Sequence, residues 1–190
     1  MLRKRIRIER ELKSRLNNKM GKDIIKNIRL GDEFGLGRLK KDYEKLKGKW
    51  SMPAFSLLNQ QFEIERISEH ETDMLLREIR KAITEKAVAF LRFLEILINP
   101  TNAPFFIFAL LKNLSPQDKK LVEKIYEKLC EFEIAAISLD LFYDEKAEAK
   151  FIKDASKKWQ DMNADLKELS GTVQRAWKAS SEKKEKAYFG

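Results

Sequence analysis

Cysteine and histidine are almost missing from this chain of 190 residues, which has one of each, Cys130 and His70. A single cysteine excludes an internal disulfide. One cysteine and one histidine together also cannot supply the ligands of a Cys/His zinc site. Cys130 stands at an apolar position of a predicted helix, so we expect a small buried hydrophobic side chain rather than a reactive thiol.

Glycine, proline and long apolar runs are also scarce. Only 7 Gly and 4 Pro are available for the turns that an all-β fold requires. No apolar run reaches the length of about eighteen residues that a membrane-spanning helix needs, because Arg92, Glu95 and Lys112 interrupt the richest stretch. The first residues, MLRKRIRIERELK, are charged and no apolar segment follows them. No secretory signal is therefore predicted, and the expected compartment is cytoplasmic.

Apolar residues are nevertheless abundant: 43% of the chain is hydrophobic, with 12 Phe and 3 Trp, which predicts a folded core. The richest stretch, residues 87–114, predicts two helical segments on either side of a corner at 99–104, where two prolines restrict the backbone. No segment shows the clear alternation of a strand. We therefore predict an all-α fold, a multi-helix bundle or a short stack of helix pairs, organised around a central buried helical hairpin at 87–114.

Capping residues predict where individual helices begin and end. Ser68 and Ser115 are each followed three residues later by an acidic residue, the pattern of a capping box, and Asp144 can cap a further helix. Ser170 and Gly171 predict a break before the last helix. The predicted helices cover residues 2–30, 36–50, 53–64, 68–99, 104–114, 116–140, 145–169 and 172 onward.

Positive charge is concentrated in the first quarter of the chain. Residues 1–50 contain 17 Lys and Arg against 7 Asp and Glu, a net +10. Residues 51–150 contain 13 against 17, a net −4, and residues 151–190 contain 9 against 6, a net +3. We interpret residues 1–50 as a basic N-terminal arm of two helices and residues 51–190 as a helical core domain. Alternatively, the chain forms one continuous domain.

Only one cluster has metal-ligand chemistry, the acidic group Glu63, Glu65, Glu69, His70, Glu71 and Asp73. A helical carboxylate site needs ligands three or four residues apart on facing helices, but Ile67 occupies the position three residues before His70, and a matching motif is missing. Acidic residues in a first turn also interact favourably with the helix dipole without a metal. The sequence contains neither a phosphate-binding loop nor a nucleophile motif. We therefore predict no enzymatic activity, no metal and no cofactor.

The basic first quarter has three interpretations: a solvated helix face without a partner, a nucleic-acid contact, or a docking surface. Its arginines could follow phosphates, but the aromatic residues that stack on bases occur only at its far end. A membrane-surface role is disfavoured, because the apolar positions carry aliphatic residues.

We predict a non-catalytic helical scaffold, or protein-interaction module, with a basic amphipathic N-terminal docking helix. Its partner is another protein or a second copy of the chain, and nucleic-acid binding through phosphates is the alternative. The apolar positions of this helix lie within about half of its circumference: Leu2, Ile6, Leu12, Leu16, Met20, Ile24 and Ile28. The predicted partner or phosphate contacts are Arg3, Arg5, Arg7, Arg10, Arg15, Lys19 and Lys22.

Overall fold

The computed structural model describes residues 35–101 and 103–188, with side chains described as far as residue 181. These residues form seven α-helices and one 3₁₀-helix and contain no strand, so the all-α prediction is confirmed. The first described helix, α1, covers 35–50. The others are α2 (Phe55–Phe62), the 3₁₀-helix (Ile64–Glu69), α3 (Leu75–Ile98), α4 (Phe105–Leu111), α5 (Pro116–Leu141), α6 (Glu145–Asp161) and α7 (Asn163–Tyr188).

The centre of the bundle is the pair formed by α3 and α5. Their mutual contact is the most extensive between any two described helices, and α3 also packs on α6. Apolar residues at helical spacing face this centre, including Ile79, Ile83 and Leu94 from α3 and Ile125 and Leu129 from α5, all fully buried. The core therefore lies along the whole length of α3 rather than in its C-terminal half alone.

The prediction that the hairpin at 87–114 is buried throughout is wrong for its second segment. Helix α4 has seven residues and buries only Ile107 and Leu110. Phe105, Phe106 and Phe108 are 75%, 46% and 41% exposed. A helix of two turns is enclosed only when neighbours cover it on every side, whereas α4 packs mainly on α7 and less on α3. Apolar composition alone was therefore a poor guide to burial here.

Two of the predicted capping positions are confirmed. At the start of α5, the Ser115 Oγ accepts a hydrogen bond from the Asp118 amide at 3.1 Å, and an Asp118 carboxylate oxygen accepts one from the Ser115 amide at 2.9 Å. This reciprocal pair is a capping box. At the start of α6, the Asp144 carboxylate accepts a hydrogen bond from the Ala147 amide at 2.6 Å.

Two other predicted boundaries are wrong. Ser68 does not begin a long helix: it lies in the 3₁₀-helix, and α3 begins at Leu75. The predicted break at Ser170 and Gly171 is also absent, because α7 continues through both residues. A glycine inside a helix costs about 1 kcal/mol relative to alanine, which tertiary packing can outweigh. The break occurs instead at Met162, which is buried between α6 and α7.

Helix α1 packs on the body of the bundle. Its seam includes Leu39 and Tyr43, both buried, and the Tyr43 hydroxyl donates a hydrogen bond to the Pro53 carbonyl at 2.6 Å. At its C-terminal end, Lys153 donates a hydrogen bond to the Trp50 carbonyl at 3.0 Å. These contacts connect residues 35–50 to the rest of the chain. The division into an arm and a core domain stays a prediction, because residues 1–34 lie outside the described part of the chain.

Candidate functional site: the outward face of helix α5

The basic residues predicted to contact a partner are not among the described residues. Arg3, Arg5, Arg7, Arg10, Arg15, Lys19 and Lys22 all precede residue 35. Their role therefore stays a prediction. Within the described residues, four features have the chemistry or the exposure that a site requires.

The first feature is the acidic group around His70. Its carboxylates are divided among separate partners: Glu63 pairs with Lys86 at 3.0 Å, and Glu71 pairs with Arg38 at 2.6 Å. The hydrogen bond from Lys86 holds the pKa of the exposed Glu63 carboxyl below its ordinary value. His70 is exposed at the edge of an open cleft of about 440 Å³. Within 35–101 and 103–188, no three side chains of metal-ligand type converge on one point.

The second feature is a buried ion-pair network that joins three helices. Arg80 of α3 is 1% exposed, and its Nε donates a hydrogen bond to Glu148 Oε2 of α6 at 2.8 Å. Its Nη2 donates another to Asp140 Oδ1 of α5 at 2.6 Å. Glu148 is fully buried, and its Oε1 has no hydrogen-bond partner among the described residues. Burial raises the pKa of Glu148 above its ordinary value, and the Arg80 charge opposes that shift.

This network was missed by the sequence analysis, although a signal for it exists. Glu148 precedes Ile152, Ala155 and Trp159 at spacings of four, three and four residues, so a carboxylate occupies the apolar face of α6. A charged residue at such a position predicts a buried partner of opposite charge. The sequence could not identify that partner as Arg80, because the two residues are 68 positions apart. We interpret the network as a structural connection between helices.

The third feature is the outward face of α5, which turns away from the buried side of the helix. Cys130, Ile134, Ile137 and Leu141 follow one another at spacings of four, three and four residues, the spacing of a coiled-coil seam. Ile134, Ile137 and Leu141 are 67%, 57% and 72% exposed. Cys130 is half-buried rather than buried as predicted, and it packs against the edge of the core. These four residues form what is called the α5 seam.

Acidic residues surround the α5 seam. The same helical face continues towards the N-terminus of α5 through Glu127 and Glu123, again at spacings of three and four residues, and both are exposed. Residues 129–145 contain five Asp and Glu and no Lys or Arg. Glu123, Glu127 and Glu133 have no salt-bridge partner within the described ranges, whereas Asp140 pairs with Arg80, Glu131 with Lys158 and Glu145 with Lys49. The outward face is therefore apolar towards its C-terminal end and acidic at Glu123 and Glu127.

A groove lies between α5 and α6. Its volume is about 570 Å³, and apolar side chains including Phe132, Leu139 and Phe151 form part of its lining. Lysine and aspartate side chains at its margins carry both signs of charge. No residue of the α5 seam lines this groove, so the groove is a separate surface on the α6 side of the helix.

Aromatic residues form a second exposed surface, on α4 and α7. Phe106 and Trp177 contact each other edge to face with ring centroids 6.4 Å apart, and they are 46% and 48% exposed. Phe108 is also exposed on α4. This surface is not continuous with the α5 seam in sequence, and acidic residues do not border it as they border α5.

The α5 seam was also missed by the sequence analysis. Helix α5 carries apolar residues on two sides, one with Ile125, Leu129 and Phe132 and the other with Ile134 and Ile137. Both sides were visible in the sequence, but the first was sufficient to predict a core helix. Only the packed structure shows that no described helix covers the second side.

None of the helices in the described part of the chain combines the length and the hydrophobicity needed to cross a membrane. Comparison with protein families, with curated proteins and with solved structures found no match to this chain.

Proposed function

We propose that this protein is a non-catalytic protein-interaction module, in which a helical body serves as a scaffold and the basic N-terminal segment serves as a docking element. The observation that supports this proposal most strongly is the α5 seam. Contiguous apolar side chains are unfavourably exposed to water. Surfaces with coiled-coil spacing commonly bury such side chains by binding another helix. The proposed compartment is the cytoplasm, which rests on the sequence alone.

Charge distribution is a second support. Residues 1–50 carry a net +10 and residues 51–150 a net −4, so the two regions attract ligands of opposite sign. A partner protein with an acidic surface would be drawn to the first, and a basic partner helix to the second. Electrostatic complementarity of this kind raises association rates and selects partners.

Nucleic-acid binding is the second candidate function. Five arginines and four lysines occur among residues 3–22, and cations at this density can neutralise several phosphates. This candidate makes a distinct prediction, because the affinity of a phosphate contact falls steeply with salt. A protein contact that buries apolar side chains depends much less on salt.

The test is a pull-down from nuclease-treated extract, combined with a salt titration of RNA and DNA binding. The variant is Arg3→Glu, Arg5→Glu and Arg7→Glu in the full chain. The matched control makes the same change of charge at Lys119, Lys120 and Lys146, which are exposed on the body.

The interaction-module proposal predicts a discrete protein partner whose capture survives nuclease and falls in the arginine variant but not in the control. Tight, salt-sensitive binding to RNA or DNA that the arginine variant abolishes would support the second candidate instead. If neither protein nor nucleic acid is bound, both candidates are wrong.

A further inference from the structure

We infer that the outward face of α5 is the acceptor for residues 2–28 of the same chain, which lie on it as a basic amphipathic helix. This inference rests on the proposed function, because it takes the N-terminal segment to be a docking element. The new element is the surface that the segment binds.

The two surfaces are complementary in hydrophobicity. The α5 seam offers three exposed aliphatic side chains in a line, with half-buried Cys130 at one end. Residues 2–28 place seven aliphatic or methionine side chains on one side of the predicted helix. Neither surface carries an aromatic residue along its line, so no large ring would hold the two helices apart.

The two surfaces are also complementary in charge. Residues 1–30 contain 11 Lys and Arg against 3 Asp and Glu, a net +8. On α5, residues 129–141 contain three acidic residues and no Lys or Arg; Glu131 and Asp140 already pair with cations of the body, whereas Glu133 and, on the same helix, Glu123 and Glu127 have no salt-bridge partner among the described residues. A second copy of α5 is a worse occupant, because pairing this face with itself would bring like charges together.

The chain positions the segment within reach of the α5 seam. Residue 35, where the described chain begins, lies in a small cleft that Leu75 also lines, at the start of α3. Two residues further along α3, Arg77 donates a hydrogen bond to the Asp140 carbonyl at 3.4 Å, next to Leu141 of the seam. A helix of 27 residues is about 40 Å long, long enough to follow α5 from this end. Because the segment is tethered, its effective concentration at α5 is in the range of about 1 mM or higher.

Hydrogen–deuterium exchange of the full chain tests this inference. Docking should slow exchange of the amides in residues 2–28, by about tenfold if the docked state is about ten times more populated than the free state. Replacing both Ile134→Ser and Ile137→Ser should remove that protection. The matched control, Phe106→Ser with Phe108→Ser, removes two exposed apolar side chains from another surface and should leave the protection unchanged.

A disulfide experiment gives an independent measurement, because Cys130 is the only native cysteine. Single cysteines are introduced at Leu12, Leu16 or Met20 on the apolar side, and at Lys13 on the basic side as the control. We expect an intramolecular disulfide with Cys130 for at least one apolar position and none for Lys13.

Several results would overturn the inference. Amides of residues 2–28 that exchange at the unprotected rate would show that the segment is free. Protection that the α5 variant leaves intact would place the segment elsewhere, and protection that disappears on dilution together with a dimeric mass would make a second copy the occupant. None of these results bears on the pull-down experiment, in which charge reversal of the arginines tests the docking role itself.

Discussion

The Arg80–Glu148 pair gives the sharpest test of the structure, because both side chains are buried and only one other acidic group shares the cation. Replacing Arg80→Met removes the guanidinium and keeps most of the side-chain volume. Glu148 then remains fully buried without its hydrogen-bonded cation. Removing one partner of a buried pair costs about 3–5 kcal/mol, because the other charge stays desolvated and unpaired. We therefore expect this variant to lose stability in that range.

Two further variants separate the pair from its surroundings. The double variant Arg80→Met with Glu148→Leu removes both charges, and we expect its stability to lie within about 2 kcal/mol of the wild type. Asp140→Asn removes the negative charge of the second acceptor and keeps an oxygen that can accept the Arg80 hydrogen bond. Because the Asp140 side chain is 61% exposed, water screens its charge, and we expect a loss below about 1 kcal/mol.

The cost of Arg80→Met should also depend on pH. Burial raises the folded-state pKa of Glu148, and loss of the neighbouring cation should raise it further. An unfolded glutamate has a pKa of about 4.3. Between that value and the higher folded-state pKa, the folded variant binds more protons than the unfolded chain. Its stability relative to the wild type should therefore improve as pH falls through this window. The double variant should show no such improvement.

Urea unfolding followed by circular dichroism measures these three variants and the single variant Glu148→Leu, at neutral pH and at about pH 5. A loss well below 1 kcal/mol for Arg80→Met would refute this reasoning, since it would mean that water or another group solvates Glu148. A double variant whose loss equals the sum of the two single losses would refute it equally, because the two residues would then be uncoupled.

The same unfolding assay checks three other predictions. Phe106→Ala should lower the free energy of unfolding by only about 1 kcal/mol, because the ring is half exposed. Ile107→Ala, at the buried neighbouring position, should lower it by about 2–5 kcal/mol. Similar losses for both would mean that α4 is enclosed. Ser115→Ala should cost about 1 kcal/mol through loss of the capping box, and no loss would show that the cap is dispensable. Gly35→Ala should be destabilising, because the new Cβ would stand 2.7 Å from a backbone carbonyl oxygen of the 3₁₀-helix. Gly37→Ala meets no atom within 4 Å and should be neutral or stabilising, so equal effects at the two glycines would contradict the packing of α1.

Local signals in the sequence were reliable where the structure depends on neighbouring residues. The capping box at Ser115 and the cap at Asp144 act through amides three residues away, so the sequence contains all the groups involved. The pattern at Ser68 has the same form but fails. The chain there does not enter a long helix, because a 3₁₀-helix and an irregular segment precede α3. A motif of four residues cannot show whether the chain that follows forms an α-helix or a 3₁₀-helix.

Long-range packing was predicted less well, and α4 shows why. Its sequence, FFIFALL, is apolar at every position, which is typical of an enclosed segment. Its burial depends on how many other helices pack against it. In the described part of the chain, α7 does so and α3 to a smaller extent. The pairing of Arg80 with Glu148 has the same origin: the apolar face of each helix was readable from its sequence, but the relative position of two helices was not.

Helix α5 carries two apolar sides, and only one of them is needed for the fold. The inner side is covered by α3, so folding does not require the outer side to be buried. Full burial of an Ile or Leu side chain contributes about 1.5–3 kcal/mol of free energy. Ile134, Ile137 and Leu141 are mostly exposed, so covering them can still contribute most of that free energy. Binding of a free partner must first offset the loss of its translational and rotational freedom, whereas a tethered segment loses much less. If residues 2–28 occupy the α5 seam, an external helix must compete with a ligand already present. An acidic partner that binds the arginines of residues 2–28 would then draw the segment away from α5, and the α5 seam would be exposed only in that complex.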